Sequence, residues 1–263
     1  MTNHNSPMTD TARGRCTLVG AGPGDPELLT LKAIKAIAKA DLLLIDDLVS
    51  QAIIDMAPPS ARVIHVGKRG GCKSTPQDFI QKLIISAVQD RQNVVRLKGG
   101  DPFIFGRGGE EVEALKAEGI MVEVINGITA GLAAISSLNV SLTHRDHAHG
   151  VIFITGHNQK GIQVIDWKEL AQTAHRARLT LIIYMGVSSV YKLQSELLFG
   201  LPAHTPVAII ENASLPNQRH AISKLEKLSA TIERENLRSP SIIVVGDVLT
   251  GLKEIGLPAI LAA

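Results

Sequence analysis

The sequence predicts an α/β fold built as two α/β domains with mainly parallel or mixed sheets, on three observations. Short runs of β-branched residues or leucine, bounded by glycine, alternate with helical patterns along the whole chain after the first residues. Glycine-rich turns follow the strands at Gly20 and at Lys98, where a parallel sheet hands over to its helices. At 263 residues the chain also exceeds the usual size of one hydrophobic core, so two domains are expected, 14–128 and 129–263, behind a polar, disordered tail of residues 1–13.

In the first half the pattern predicts strands over Cys16 to Val19, Leu42 to Ile45, Arg62 to Val66, Val94 to Leu97 and Val122 to Val124. A helix is predicted to open at Asp25-Pro26-Glu27, where a cap acceptor, a proline that lacks only a superfluous N–H, and an acid suited to the helix dipole follow one another. Further helices are expected from Thr75-Pro76-Gln77 to Gln89 and from Gly109 to Ala117, before Gly119. The turn at Asn126-Gly127 precedes the small residues Thr129 to Ser137, which read as a closely packing helix at the domain boundary. The second half shows strands at Val151 to Thr155, Thr180 to Met185, Val207 to Glu211 and Ser241 to Val245. Between them come helices at Trp167 to Gln172, Ser189 to Phe199 and Leu225 to Glu235.

Composition excludes several classes of partner. A net charge of +2 is too small for a polyanion, and 3% aromatic residues supply no stacking platform, so no nucleic acid is expected. No apolar run reaches the ~18 residues of a membrane span. Cys16 and Cys72 have neither CxxC nor zinc spacing and read as free thiols of a reducing compartment, hence a cytoplasmic protein. His144, His147 and His149 share a polar loop without a ligand partner at metal spacing beyond Asp146, so no metal site is assigned.

The loop Gly20-Ala21-Gly22-Pro23-Gly24-Asp25-Pro26 invites a dinucleotide reading with Asp46 or Asp47 as the ribose acid. It fails at position 25, where the third glycine would stand and Asp stands instead. The second loop, Lys98-Gly99-Gly100-Asp101-Pro102, again ends a glycine pair in Asp-Pro. Its backbone could approach a ligand closely and Asp101 could accept from ribose hydroxyls, so a nucleoside without a pyrophosphate suits it. Either loop alone is read equally well as a tight strand-to-helix turn.

Together, in order and spacing, the two loops resemble the tetrapyrrole methylases. The likeness extends through Asp46 with Leu48-Val49-Ser50, Gly67-Lys68-Arg69, Val95 to Glu111, Gly127-Ile128-Thr129, Leu142-Thr143-His144-Arg145, Tyr184-Met185-Gly186, Thr205-Pro206-Val207 and Ser239-Pro240. The resemblance implies a homodimer whose two domains fold around S-adenosyl-L-methionine. It also implies methyl transfer to two pyrrole carbons of uroporphyrinogen III, giving precorrin-2 and S-adenosyl-L-homocysteine. By the same resemblance, Pro23, Gly99, Gly100, Asp101, Ile104, Thr129, Ala130, Met185 and Ala213 line the cofactor site. Asp46 and Lys68 have acid–base roles, and Arg107 and Glu110 handle substrate and proton removal. The chain departs from the family at Ile45, Lys73, Asn126 and Ser188, and at Asp47, a carboxylate that either repels Asp46 or faces solvent.

The chemistry asks for little activation, because a sulfonium methyl is already electrophilic and the porphyrinogen is electron-rich. A base is needed only to remove a bridging proton after the macrocycle has become cationic. Asp46 is the first candidate, and Arg107 with Glu110 at i, i+3 the second. Lys68, Arg69, Arg107, Arg145 and Arg219 are candidates to clamp the substrate's carboxylates. A later precorrin methylase, a nicotinamide oxidoreductase and a non-catalytic tetrapyrrole-binding module are the competing readings.

Overall fold

The computed structural model describes residues 14–67, 75–157, 165–250 and 252. The chain divides between Thr129 and Ala130 into two compact units. In the first, strands β1 (Arg15–Gly20), β2 (Leu42–Ile45), β3 (Arg62–His65), β4 (Asn93–Lys98) and β5 (Val122–Ile125) alternate with helices α1 (Leu31–Ile37), α2 (Gln51–Ile54), α3 (Gln77–Gln89) and α4 (Gly108–Ala117). The strands form one sheet in the order β3-β2-β4-β1-β5. Every pairing in it is parallel.

Both faces of this sheet are covered at its centre, which is why β2 is apolar without interruption, while the edge strand β3 is largely exposed. Val19, Leu43, Ile45, Val95 and Leu97 face Ala33 and Ile37 of α1 and Ile53 and Ile54 of α2. On the other face Cys16, Leu18, Leu42, Leu44 and Val94 meet Ile80 and Ile84 of α3 and Leu115 of α4. Neighbouring strands β1 and β4 therefore send their following helices to opposite faces. Their carboxyl ends are the switch point of the sheet, the place at which open α/β sheets bind ligands.

The second unit begins with α5 (Ala130–Ser136). It continues through β6 (Gly150–Thr155), α6 (Trp167–Arg176), β7 (Leu179–Tyr184), α7 (Val190–Leu197), β8 (Pro206–Glu211), β9 (Arg219–Lys224), α8 (Leu228–Arg234) and β10 (Ser241–Val245). Its sheet has the order β6-β7-β10-β8-β9 and is mixed: β6 and β7 are parallel, while β10 runs antiparallel to both neighbours and β9 to β8. Leu181, Ile183, Val207, Ile209 and Ile243 pack against α6, α7 and α8. The opposite face, with Ile182, Tyr184, Ile210 and Val244, receives α5 through Ala134 and Ile135.

Three local differences from the sequence reading have physical causes. The helix expected at Asp25 is a single 3-10 turn, Pro26–Leu28. Asp25 does cap it, accepting from the Glu27 amide at 2.9 Å, but Thr30 is extended and starts α1 with its own cap to the Ala33 amide at 3.1 Å. Strand β9 had no apolar run to announce it, because Arg-His-Ala-Ile-Ser-Lys becomes a strand only by pairing with β8. The short helix α2 likewise lacked a periodic signal.

Candidate functional site

At the carboxyl ends of β1 and β4 the two glycine loops are hydrogen-bonded to each other. Gly22 donates to the Gly100 carbonyl at 3.1 Å and Gly100 returns the bond to the Gly22 carbonyl at 2.7 Å. Both glycines have φ of 69°, which side-chain-bearing residues rarely adopt. A Cβ on Gly20 would lie 2.4 Å from the Gly127 nitrogen, and one on Gly127 would lie 2.3 Å from the Gly100 oxygen. Bare backbone therefore packs on bare backbone where the loops after β1, β4 and β5 converge.

Asp101, 7% exposed, fastens this arrangement. Its Oδ1 accepts from the Phe103 amide at 2.8 Å, and its Oδ2 accepts from the Gly127 amide and Asn126 Nδ2, each at 3.1 Å. A carboxylate with three such bonds is fixed in orientation, whatever else it contacts. Ser50 ties the loop after β2 to the same place by donating to the Gly24 carbonyl at 2.7 Å.

Beside the glycine loops Asp46 belongs to a group of charges whose other members, Arg96, Lys98 and Glu111, were not singled out from the sequence. Arg96 and Lys98 of β4 point to the same face, with side chains 2% and 4% exposed, and both meet Glu111 of α4, which is fully buried. Glu111 Oε1 receives Gln77 Nε2 at 2.8 Å, Lys98 Nζ at 3.2 Å and Arg96 Nε at 3.3 Å. Arg96 also donates through Nη2 to Asp46 Oδ1, while Lys98 stands 3.6 Å from Asp46 Oδ2. Two cations and two anions thus balance, as burial requires. The available signal was the pattern Val-Val-Arg-Leu-Lys itself: a buried strand tolerates two cations on one face only if anions meet them.

Asp46 is the member of this group that reaches solvent, at 30% side-chain exposure, and Asp47 beside it is exposed. Cys16, on the same face of the sheet, has its thiol pushed up from the ordinary 9.0 to about 12, first by burial and then by the Glu111 charge. It is an inert core residue. Lys68, Arg69 and Lys73 lie outside the described residues.

Arg107 and Glu110 form a separate, exposed pair at the start of α4, with Nε donating to the two carboxylate oxygens at 3.0 and 3.2 Å and Nη2 to Oε2 at 2.5 Å. Their mutual hydrogen bond raises the arginine's pKa and holds the glutamate's below its usual range. Phe103, Ile104 and Phe105 in the same loop are exposed.

Backbone strain marks the same kind of place in both units. Of the nine described non-glycine residues with positive φ, Arg91, Asn139, Arg178 and Asn236 follow helices, where a left-handed residue commonly ends the last turn. The other five, Phe105, Arg107, Met185, Asn212 and Ser214, sit in the loops after β4, β7 and β8. Strain of this kind gathers at functional sites. Three of the positions expected to line the cofactor site, Ile104, Met185 and Ala213, are among or next to these residues. Met185 is 47% exposed and Ala213 is buried. Thr129 is buried at the end of the first unit, and Ala130 is partly buried at the start of α5. The next residue, Gly131, donates to the Tyr184 hydroxyl at 2.9 Å, a contact so close that a Cβ there would stand 2.4 Å from that oxygen.

Residues 15–229 match the Tetrapyrrole (Corrin/Porphyrin) Methylases. The chain is a tetrapyrrole methylase. This methylase is 50% identical over 236 residues to the uroporphyrinogen-III C-methyltransferase of Pseudomonas aeruginosa, covering 89% of this chain and 94% of that one. It is 43% identical to the siroheme synthase of Azotobacter vinelandii over 90% of its own length but only 51% of the synthase's. Among solved structures, the Thermus thermophilus uroporphyrin-III C-methyl transferase complexed with S-adenyl homocysteine superposes with a TM-score of 0.76 at 38% identity, covering 90% of this methylase and all of that chain. A cobalt precorrin-4 methyltransferase superposes with a TM-score of 0.80 at 26% identity, covering 89% of the methylase and 95% of that chain.

Proposed function

We propose that this methylase transfers methyl groups from S-adenosyl-L-methionine to two pyrrole carbons of uroporphyrinogen III, yielding precorrin-2 and S-adenosyl-L-homocysteine. The observation that carries the reading is the 50% identity to a uroporphyrinogen-III C-methyltransferase across almost the whole of both chains. The methylase whose structure holds S-adenyl homocysteine supports the choice of cofactor.

The residues present suit such a ligand. Gly100 lies at a sheet switch point, next to a rigidly held Asp101 and an exposed Ile104, while Gly99 makes room for Leu48, whose Cβ would stand 2.9 Å from a Cβ added there. The proposed contacts are Pro23, Gly99, Gly100, Asp101, Ile104, Thr129, Ala130, Met185 and Ala213. The bound cofactor supplies an electrophilic methyl group, so the protein's task is to hold the acceptor carbon in line and exclude water. Arg107, an exposed guanidinium held by Glu110, can exchange that partner for a substrate carboxylate. Asp46 places a carboxylate at the open edge, where it stabilises the cationic macrocycle and takes the bridging proton. Lys68 completes the acid–base set, and a cytoplasmic homodimer is the proposed assembly.

Incubating the protein with uroporphyrinogen III and S-adenosyl-L-methionine should give a doubly methylated product detectable by mass. The likeness to a precorrin-4 methyltransferase supports a second reading, in which a later precorrin is the acceptor. Turnover of that acceptor, with none of uroporphyrinogen III, would replace the first reading with the second.

A further inference from the structure

Asp46 owes its place to a side chain fifty positions away that reaches no solvent of its own. The guanidinium of Arg96 is bonded on every side: Nη1 to the Leu97 and Leu44 carbonyls at 3.1 and 3.4 Å, Nε to Glu111 Oε1 at 3.3 Å, and Nη2 to Asp46 Oδ1. A planar, always-charged fork held in this way cannot rotate, so Nη2 is a fixed point beside Asp46. Glu111 is in turn fixed by Gln77 and Lys98, although its Oε2 is buried without a hydrogen-bond partner among the described residues. A pair kept only for stability is replaceable by apolar side chains of the same volume, often at no cost. Here the buried pair instead ends on a half-exposed carboxylate at the carboxyl edge of the sheet.

We infer that Arg96 and Glu111 are positioning residues for methyl transfer: Glu111 locks the Arg96 guanidinium, and Arg96 holds the Asp46 carboxylate in the one orientation that serves the substrate. The inference rests on the role given to Asp46 above.

The double variant Arg96→Met/Glu111→Leu tests it, because removing one cation and one anion leaves Asp46 and Lys98 balanced in the fold. Cofactor affinity by calorimetry and KM for uroporphyrinogen III should stay within about 2-fold, while the single-turnover rate of the first methylation should fall about 10- to 100-fold, the scale of a misplaced acid–base group. Asp46→Asn should fall as far. The triple variant should be no slower than Asp46→Asn, since the changes disable the same group. A folded double variant with the wild-type rate, or a triple variant whose losses multiply, would overturn the positioning role. An unchanged rate in Asp46→Asn alone would instead overturn the reading of Asp46 on which the inference rests. If the double variant does not fold, Arg96→Lys takes its place: it keeps the charge but lacks the fork, so its rate should be intermediate, and a wild-type rate in it would again count against the inference.

Discussion

Two consecutive glutamates of α4 each hold an arginine, and their surroundings give the two pairs opposite characters. Glu110 and Arg107 are both 57% exposed, close in sequence and in near-ideal bidentate contact. Glu111 and Arg96 are fifteen residues apart and buried at 0% and 2%. Water screens the first pair, so it contributes little to stability and can exchange its partner for a substrate carboxylate at small cost. The second pair has no water to fall back on; its members are bound to one another and to the core. One helix turn therefore carries both an adaptable contact and a fixed one.

The largest effect separating the pairs should come from Glu111→Gln, which leaves Arg96 and Lys98 facing Asp46 alone. Denaturant unfolding should show a loss of about 3–5 kcal/mol, as for other buried pairs deprived of one partner. A loss no greater than that of Glu110→Gln would remove the distinction. Next, Arg107→Ala should reduce methyl transfer about 10- to 100-fold, the worth of a charged hydrogen bond to substrate, with cofactor affinity kept. Its stability should change by less than about 0.5 kcal/mol. Loss of cofactor binding with normal turnover at saturation would assign Arg107 to the wrong ligand.

Cys16 senses the charges of the buried pair and not those of the exposed one. Burial, and after it the Glu111 charge, push its thiol up from the ordinary 9.0 to about 12, so the folded state retains the proton that the unfolded state releases. The resulting stability is complete below pH 9 and is lost as pH rises from 9 towards 12, at about 1.4 kcal/mol per unit. Thiol titration should show the value lowered in Glu111→Gln and unmoved in Arg107→Ala, because Glu111 contributes to the shift and Arg107 does not. The smallest effect is that of salt. Raising ionic strength to 1 M should weaken the Arg107–Glu110 coupling, measured by a double-mutant cycle, by a few tenths of a kcal/mol. The Arg96–Glu111 coupling should not move.

Glycine makes room for the protein's own packing as well as for a ligand. The loop after β4 was recognisable as a close-approach turn from Gly99 and Gly100, but part of that closeness serves the protein itself, since Gly100 and Gly22 bond each other and Gly99 makes room for Leu48. Asp101 shows the same doubling. Its carboxylate, an acceptor suited to ribose hydroxyls, takes three hydrogen bonds from its own chain, from Phe103, Asn126 and Gly127.

By itself the sequence determined whatever depends on short separations. It set the alternation of strands and helices, the turn after Gly20, the small-residue helix α5, and the i, i+3 partnership of Arg107 and Glu110, because backbone propensity and neighbouring side chains decide these within a few residues. Only the tertiary structure decided which strands became neighbours. Inserting β4 between β2 and β1 brings Arg96 beside Asp46, fifty positions earlier, and covering that face with α4 delivers Glu111. Pairing with β8 makes a strand of Arg219–Lys224, and the antiparallel β9 and β10 together make the second sheet mixed. A strand's partners are fixed by the packing of both faces at once, and a buried ion's partners by the need to be neutralised wherever the fold leaves it. Both conditions are met across the whole unit, and no window of the chain contains them.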